Sequence, residues 1–310
     1  MNKSILIRVA KFYYEQNMTQ QEIANILGTS RMSISRMLQK AREEGITDIK
    51  INYDGSFIEM EDQIKTKYNL REVLITPLDN GEKLKQVLAE AAASLLSRIL
   101  KNEDFIAVGW GSTLSHIASY VDKSSKIKAT FVPLVGGYGQ MSLEMHANQI
   151  ASKLAAAFHG NAQYLHAPAI VDTLELKNSF ITDNSIKAVL EMGKRANIAL
   201  LGIGAPFSPE STLFDSGYFI QEDINELQAA GAECDIASCI YLDKEGKECA
   251  VGSTQRVVGI SADDLKKIPL VIGVAGGNGK HTAVHLAAQS GYFDVIITDE
   301  ETGKFLLKNK

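Results

Sequence analysis

Four stretches of the chain carry glycines just after an apolar run: Gly109-Trp110-Gly111-Ser112-Thr113, Gly136-Gly137-Tyr138-Gly139, Gly202-Ile203-Gly204-Ala205-Pro206 and Gly276-Gly277-Asn278-Gly279-Lys280. Glycine lets a backbone come close to a bound group, and the open amides at the start of a following helix suit an anion. Ser112 and Thr113 add hydroxyls and Lys280 a cation. Together these are what a phosphate group requires. The named nucleotide motifs are nevertheless absent. Leu114 and Phe207 stand where GxGxxG needs its third glycine, and GGNGKH lacks both the first Walker glycine and the hydroxyl after lysine. Glycine turns between strand and helix also arise for packing alone. Four of them in one chain, one with a lysine, favour a small phosphorylated ligand.

Catalytic chemistry finds less support. His281 and His285 are four apart, but no Glu follows His281, and no GxSxG elbow occurs. Glu144, His146 and Asp235 are polar groups near the glycine segments that can hold sugar hydroxyls, although each alone reads more simply as a solvated or structural residue. His116, His159 and His166 have no partner in the pattern, and Cys234, Cys239 and Cys249 form neither a CxxC pair nor a paired framework. They read as reduced thiols, and neither metal nor cofactor is expected.

A second set of residues has a different use. In TQQEIANILGTSRMSISRMLQKAR, from Thr19 to Arg42, Thr19 and Glu22 form a capping box and Gly28 stands where a short helix ends. Ile34, Met37, Leu38 and Ala41 give the next helix an apolar side at offsets 0, 3, 4 and 7. Its other side carries Arg31, Ser33, Arg36 and Lys40, with Ser30 at the cap and no acid between Ser30 and Arg42. This is a helix-turn-helix whose second helix enters the major groove. A plain helical hairpin with a solvated basic face is the simpler alternative.

The elements that must position these groups follow from periodicity. Ser4 to Glu15 is an amphipathic helix behind the hairpin, and Ile46 to Tyr53 alternates as a short strand that can form a wing. Asp54-Gly55-Ser56 is the linker, so residues 1–53 form a DNA-binding domain and 54–310 a second domain. A helix from Ile58 to Tyr68 spaces Met60, Ile64 and Tyr68 by four, for pairing with a second subunit or for packing on its own domain. Beyond Glu72, apolar runs at Val73–Ile75, Phe105–Val108, Thr130–Leu134, Ile198–Ile203 and Leu270–Val274 alternate with helices at Lys83–Leu100, Thr113–Val121, His146–Phe158, Ile186–Ala196 and Gly279–Ala288. VIITDEETGKFLL adds a strand and a helix, and Tyr241–Val251 reads as a hairpin turning at Glu245-Gly246. The fold class is α/β, a mainly parallel doubly wound sheet with a small all-α or winged head. In such sheets ligands bind beyond the carboxyl ends of the strands.

Composition agrees. The apolar fraction of 45% is that of a globular chain, no run reaches the length of a membrane span, and the amphipathic start lacks a signal peptide's core. A cytoplasmic location is expected. Residues 1–53 hold eight Lys/Arg against five Asp/Glu, a balance of +3, whereas the remainder carries −8. A basic head on an acidic body fits one domain that meets phosphates and one that does not. So small an excess implies weak binding by a monomer and stronger binding by a homodimer or homotetramer.

The head, followed by GWGST, PLVGGYGQ, HANQIASKLAAAF, APAIV and VAGGNGK in that order, resembles the SorC family of bacterial sugar-responsive transcriptional regulators over nearly the whole chain. The resemblance implies an effector domain related to ribose-5-phosphate isomerase and glucosamine-6-phosphate deaminase, a phosphorylated sugar as effector, and homo-oligomers on operator DNA. It places phosphate contacts at Ser112, Thr113 and Lys280, with Gly109, Gly276 and Gly277 in the same loops. Gly136 and Gly137 shape the loop between, and Asn148 and Asp235 match positions that contact the sugar. Some relatives have a lysine or arginine before the glycine pair, one of which forms an imine with deoxyribose phosphate. Val135 stands there in this chain and can do neither. The competing expectations are a sugar-phosphate isomerase or deaminase carrying a DNA-binding head, and a structural DNA-associated protein.

Overall fold

The alternation of buried and exposed positions is the simplest guide to the architecture of the computed structural model, which describes residues 3–47, 56–79, 81–137, 142–209, 211, 219–237, 240–249 and 251–309. The chain divides into two units, Met1–Asp54 and Gly55–Lys310.

In the first unit, α1 (Lys3–Ala10) continues through a π-type turn at Lys11–Glu15, followed by α2 (Gln20–Leu27) and α3 (Arg31–Glu43). The capping box is formed: the Thr19 N–H donates to the Glu22 carboxylate at 2.8 Å, and the Glu22 N–H to the Thr19 hydroxyl at 3.3 Å. The Thr19 N–H and the Thr19 hydroxyl both donate to the Glu22 carboxylate, at 2.8 Å each, and hold that carboxyl below its usual value. Gly28 ends α2 at φ 63°, with open space where a Cβ would stand, so backbone conformation alone favours glycine there. Ser30 caps α3, its hydroxyl accepting the Ser33 N–H at 3.2 Å. Val9, Ile23, Ala24, Ile34 and Leu38 form the core, with Leu6, Ala10 and Ala41 beside it. Most of the strand expected over Ile46–Tyr53 lies outside the described residues.

The second unit begins with α4 (Ile58–Tyr68), β1 (Glu72–Thr76), α5 (Gly81–Ile99) and β2 (Phe105–Val108). Then come α6 (Ser112–His116) with a 3-10 turn to Tyr120, β3 (Thr130–Pro133), α7 (Ala147–Phe158), β4 (Asn161–Ala162), α8 (Leu174–Thr182), α9 (Asn184–Lys194) and β5 (Ile198–Gly204). The chain continues with α10 (Gln221–Ala229), β6 (Ala232–Ile236), β7 (Ile240–Asp243), α11 (Gly252–Gln255), α12 (Ala262–Leu265), β8 (Val271–Val274), α13 (His281–Gln289), β9 (Val295–Asp299) and α14 (Glu300–Lys308).

The sheet runs β1-β9-β8-β5-β2-β3-β4 with every neighbour parallel; β6 branches antiparallel from the end of β5, and β7 pairs β6. Successive residues of a strand serve opposite faces. Ile106, Val108, Ile198, Leu200, Ile272, Val274, Val295 and Ile297 pack under α5 and α7, whereas Ala107, Ala199, Leu201 and Ile296 pack with Val284, Leu286 and Leu306 of α13 and α14. Both faces are thus covered, as a parallel sheet requires. The doubly wound α/β fold expected from the sequence is observed. The apolar side of α4 packs within its own domain, where Ile64 is fully buried.

β2 leads outward to β3, and β5 leads the other way toward β8, yet β2 and β5 are neighbours. That reversal opens a crevice beyond their carboxyl ends.

Candidate functional site

A cavity of about 460 Å³ lies at these strand ends. The loop after β2 contributes Trp110, Gly111, Ser112 and Thr113, the last buried; the β5 end and the loop after it contribute Gly202, Gly204, Ala205, Ser208 and Ser211. The loop after β8 supplies Gly276, Gly277, Asn278 and Lys280. Gly111 at φ 134° and Gly277 at φ 98° sit in backbone that other residues adopt only with strain. The Gly111 N–H donates to the Met145 carbonyl at 3.1 Å, which fixes that turn.

Asp235, almost fully buried, reaches the cavity from β6 and stands 3.0 Å from where a Gly204 Cβ would be, so glycine at 204 makes room for it. Burial pushes the Cys234 thiol well up, Asp235 pushes it further, and the Lys280 charge opposes both.

The cavity also has a wall without a glycine motif: Leu78, Asp79, Leu84, Lys85 and Leu88, from the turn after β1 and the start of α5. Asp299, at the end of β9, lines the site with no exposed surface and accepts the Gly277 N–H at 2.7 Å. These residues escaped sequence reasoning. The available signal was a carboxylate at a strand end followed by a helix, which occurs at both Asp79 and Asp299.

Other expected site residues are placed elsewhere. Gly109 packs between β2 and β5, where a Cβ would meet Leu201 at 3.2 Å. A Cβ at Gly136 would stand 2.4 Å from the Pro168 carbonyl, and the Gly137 N–H donates to Ala167 at 2.9 Å. The Asn148 amide is matched to the backbone of Leu165, accepting its N–H at 2.8 Å and donating to its carbonyl at 3.1 Å. Among the described residues, Gly109, Gly136, Gly137 and Asn148 are not in the cavity lining. Val135 is fully buried among Trp110, Ala147 and Ile170, so hydrocarbon fills that corner. Tyr138, Gly139 and Cys239 lie outside the described residues. Glu144 is exposed, 3.9 Å from Lys153, and His146 stands beside Gly137.

The His281 ring lies tilted against Phe305, with 5.1 Å between ring centroids, and His285 bonds Tyr68 at 2.8 Å. Among the described residues, no group of three or more His, Cys, Asp or Glu is arranged to hold a metal, and no helix is long and apolar enough to cross a membrane.

On the head, Ile34, Leu38 and Ala41 face the core, which turns the opposite side of α3 outward. Arg31, Arg36 and Ser30 are exposed there, Ser33 and Lys40 half-buried, and Lys40 lies 3.6 Å from Glu44.

Comparison with known proteins finds relatives for both parts of the chain. The family model described as "Putative sugar-binding domain" matches residues 55–308, and that of the Crp-like helix-turn-helix domain matches residues 6–62. The chain is 29% identical to the sorbitol operon regulator of Klebsiella pneumoniae over 98% of both chains. It is 30% identical to the deoxyribonucleoside regulator of Bacillus subtilis (strain 168), over 99% of this chain and 98% of that one. The crystal structure of the full-length sorbitol operon regulator SorC from Klebsiella pneumoniae superposes with a TM-score of 0.77 at 27% identity, covering 98% of each chain.

Proposed function

Because the chain belongs to the SorC family of transcriptional regulators, with a helix-turn-helix and a sugar-binding domain, we propose that it governs a carbohydrate-use operon in response to a phosphorylated sugar. Its relatives are named regulators, not enzymes. Operator DNA is the partner of residues 1–53; Arg31, Ser33, Arg36 and Lys40 read or clamp it, with Ser30 at the helix start. Residues 54–310 bind the effector and join copies into a homodimer or homotetramer, which multiplies the few phosphate contacts of one head. Such work on chromosomal DNA places the protein in the cytoplasm.

One observation carries the phosphorylated effector: Ser112, Thr113 and the Gly276–Lys280 loop border a single cavity at the β2/β5 reversal. Hydroxyls, close-approach glycines and one cation meet there, the set that an anionic group needs. Asp79 and Asp235 border the same space and suit the hydroxyls of the sugar. A thermal-shift screen of sugar phosphates beside their unphosphorylated parents tests this. A ligand at about a hundred times its Kd stabilises the folded state by about 2.7 kcal/mol. The expected result is a shift with a phosphorylated member and little with its parent sugar; equal shifts for both would refute the anionic effector.

A further inference from the structure

Helix α14 is held at both ends by groups with work elsewhere. At its start the Asp299 carboxylate accepts four hydrogen bonds: from the Glu301 N–H at 3.0 Å, the Thr302 N–H at 3.1 Å, the Thr302 hydroxyl at 2.6 Å and the Gly277 N–H at 2.7 Å. Three of them cap the helix. The fourth holds the cavity loop, and it is tight: a Cβ on Gly276 would stand 2.3 Å from the same carboxylate. At the other end, Lys67 of α4 donates to the carbonyls of Leu306 at 2.7 Å and Leu307 at 3.1 Å, and also to that of Asn309. The Tyr68 hydroxyl donates to the Leu306 carbonyl at 2.8 Å. With its single proton spent there, its oxygen accepts from His285 Nδ1 at 2.8 Å. Between the ends, Gly303 lets α4 lie close: a Cβ there would stand 2.8 Å from Met60 Sδ and 2.9 Å from Ile75 Cδ1.

In sequence, α4 is the first element after Met1–Asp54. We propose that α14 is the rod by which occupancy of the Gly276–Lys280 loop acts on α4, with Asp299, Lys67 and Tyr68 as positioning residues for regulation. An anion that draws the Gly277 amide inward either breaks a buried, charge-assisted hydrogen bond or takes Asp299 with it. Asp299 cannot shift without the first turn of α14, because three of its bonds are that turn's cap. A nine-residue helix is stiff over about 13 Å, and its far end is bonded to α4. The displacement thus reaches the element that continues from the DNA-binding unit. The inference rests on the proposed effector.

The test uses the full chain, a duplex selected by the protein from a random pool, and ribose 5-phosphate, fructose 6-phosphate and glucosamine 6-phosphate as probes. Fluorescence anisotropy gives DNA affinity with and without each probe; calorimetry gives probe affinity with and without DNA. Tyr68→Phe deletes both hydroxyl bonds and keeps the ring, whereas Gly303→Ala wedges α14 from α4. Coupling factors of regulatory proteins are typically about 5- to 150-fold and reciprocal. In both variants the factor is expected to fall toward one from either direction, while probe affinity without DNA and DNA affinity without probe stay within about threefold of the parent. A merely structural contact would not separate these readouts. A parent that responds and a Tyr68→Phe variant that retains the full factor would overturn the rod alone. A parent whose DNA affinity responds to none of the probes would overturn the effector reading and the rod with it.

Discussion

Lys280→Met removes one positive charge from the Gly276–Lys280 loop and keeps most of the aliphatic stem. Lys280 is half-buried, borders the cavity, and acts on Cys234 through its charge. A hydrogen bond to a charged group contributes about 1.5–3 kcal/mol, and about 1.4 kcal/mol is tenfold in affinity. The substitution is therefore expected to weaken binding of the phosphorylated effector about 10- to 100-fold. Direct contact and distant attraction are separable by salt, since the Debye length falls from about 8 Å at physiological ionic strength to about 3 Å at 1 M. Isothermal titration of parent and variant at both salt concentrations, with the sugar phosphate and its parent sugar, reads the effect. The loss should persist at high salt and be confined to the phosphorylated ligand, and DNA affinity without effector should stay unchanged. An unaltered Kd, or equal weakening of both ligands, would refute the assignment of Lys280 to the phosphate.

Arg36→Ala, on the exposed side of α3, is expected to weaken DNA binding and, if its contact is to phosphate, to lower the slope of log K against log salt by about one; an unchanged titration across salt concentrations would contradict it. Ile34→Ala, at a fully buried position of the head core, should destabilise that unit by about 2–5 kcal/mol. Calorimetry should then show an early transition with the effector-stabilised one unmoved, and a cost below about 1 kcal/mol would argue against the packing described. Burial, with the Lys67 charge, holds His285 below the ordinary histidine value. Its contribution to stability is therefore present above the unfolded pKa of about 6.5 and is lost as pH falls through the lower folded value. Melting temperature should decline over that acid range by less in His285→Gln than in the parent, and parallel profiles would refute this.

Periodicity and capping chemistry made much of this molecule legible. The Thr19–Glu22 box, Gly28 and the apolar offsets of α3 are local signals, and the structure forms them as read. The longer parallel strands were equally plain because both faces are covered, leaving continuous apolar runs such as Phe105–Val108 and Ile198–Gly204, whereas the two-residue edge strand Asn161–Ala162 has no such run and was not expected. β6 was not legible: its Ala-Glu-Cys-Asp-Ile carries two acids, and only its antiparallel pairing with β5 and β7 makes it a strand. α8 has no fully buried residue and α10 only two, so neither shows a strong apolar stripe. At the cavity, glycine loops are visible because clustered glycines after an apolar run mark turns and close backbone approach. Which of them converge is a matter of strand order, and the sequence held no sign that the Gly136 turn packs on Pro168. The Asp299–Gly277 bond joins residues 22 apart and follows only from β8 and β9 being neighbours.

The most direct test measures the parent protein's affinity for its selected duplex by anisotropy, with and without the sugar phosphate that raises its melting temperature most, beside that sugar's unphosphorylated parent. A change of about fivefold or more with the phosphorylated compound alone is the predicted result. An affinity that stays the same while that compound is demonstrably bound would contradict the account.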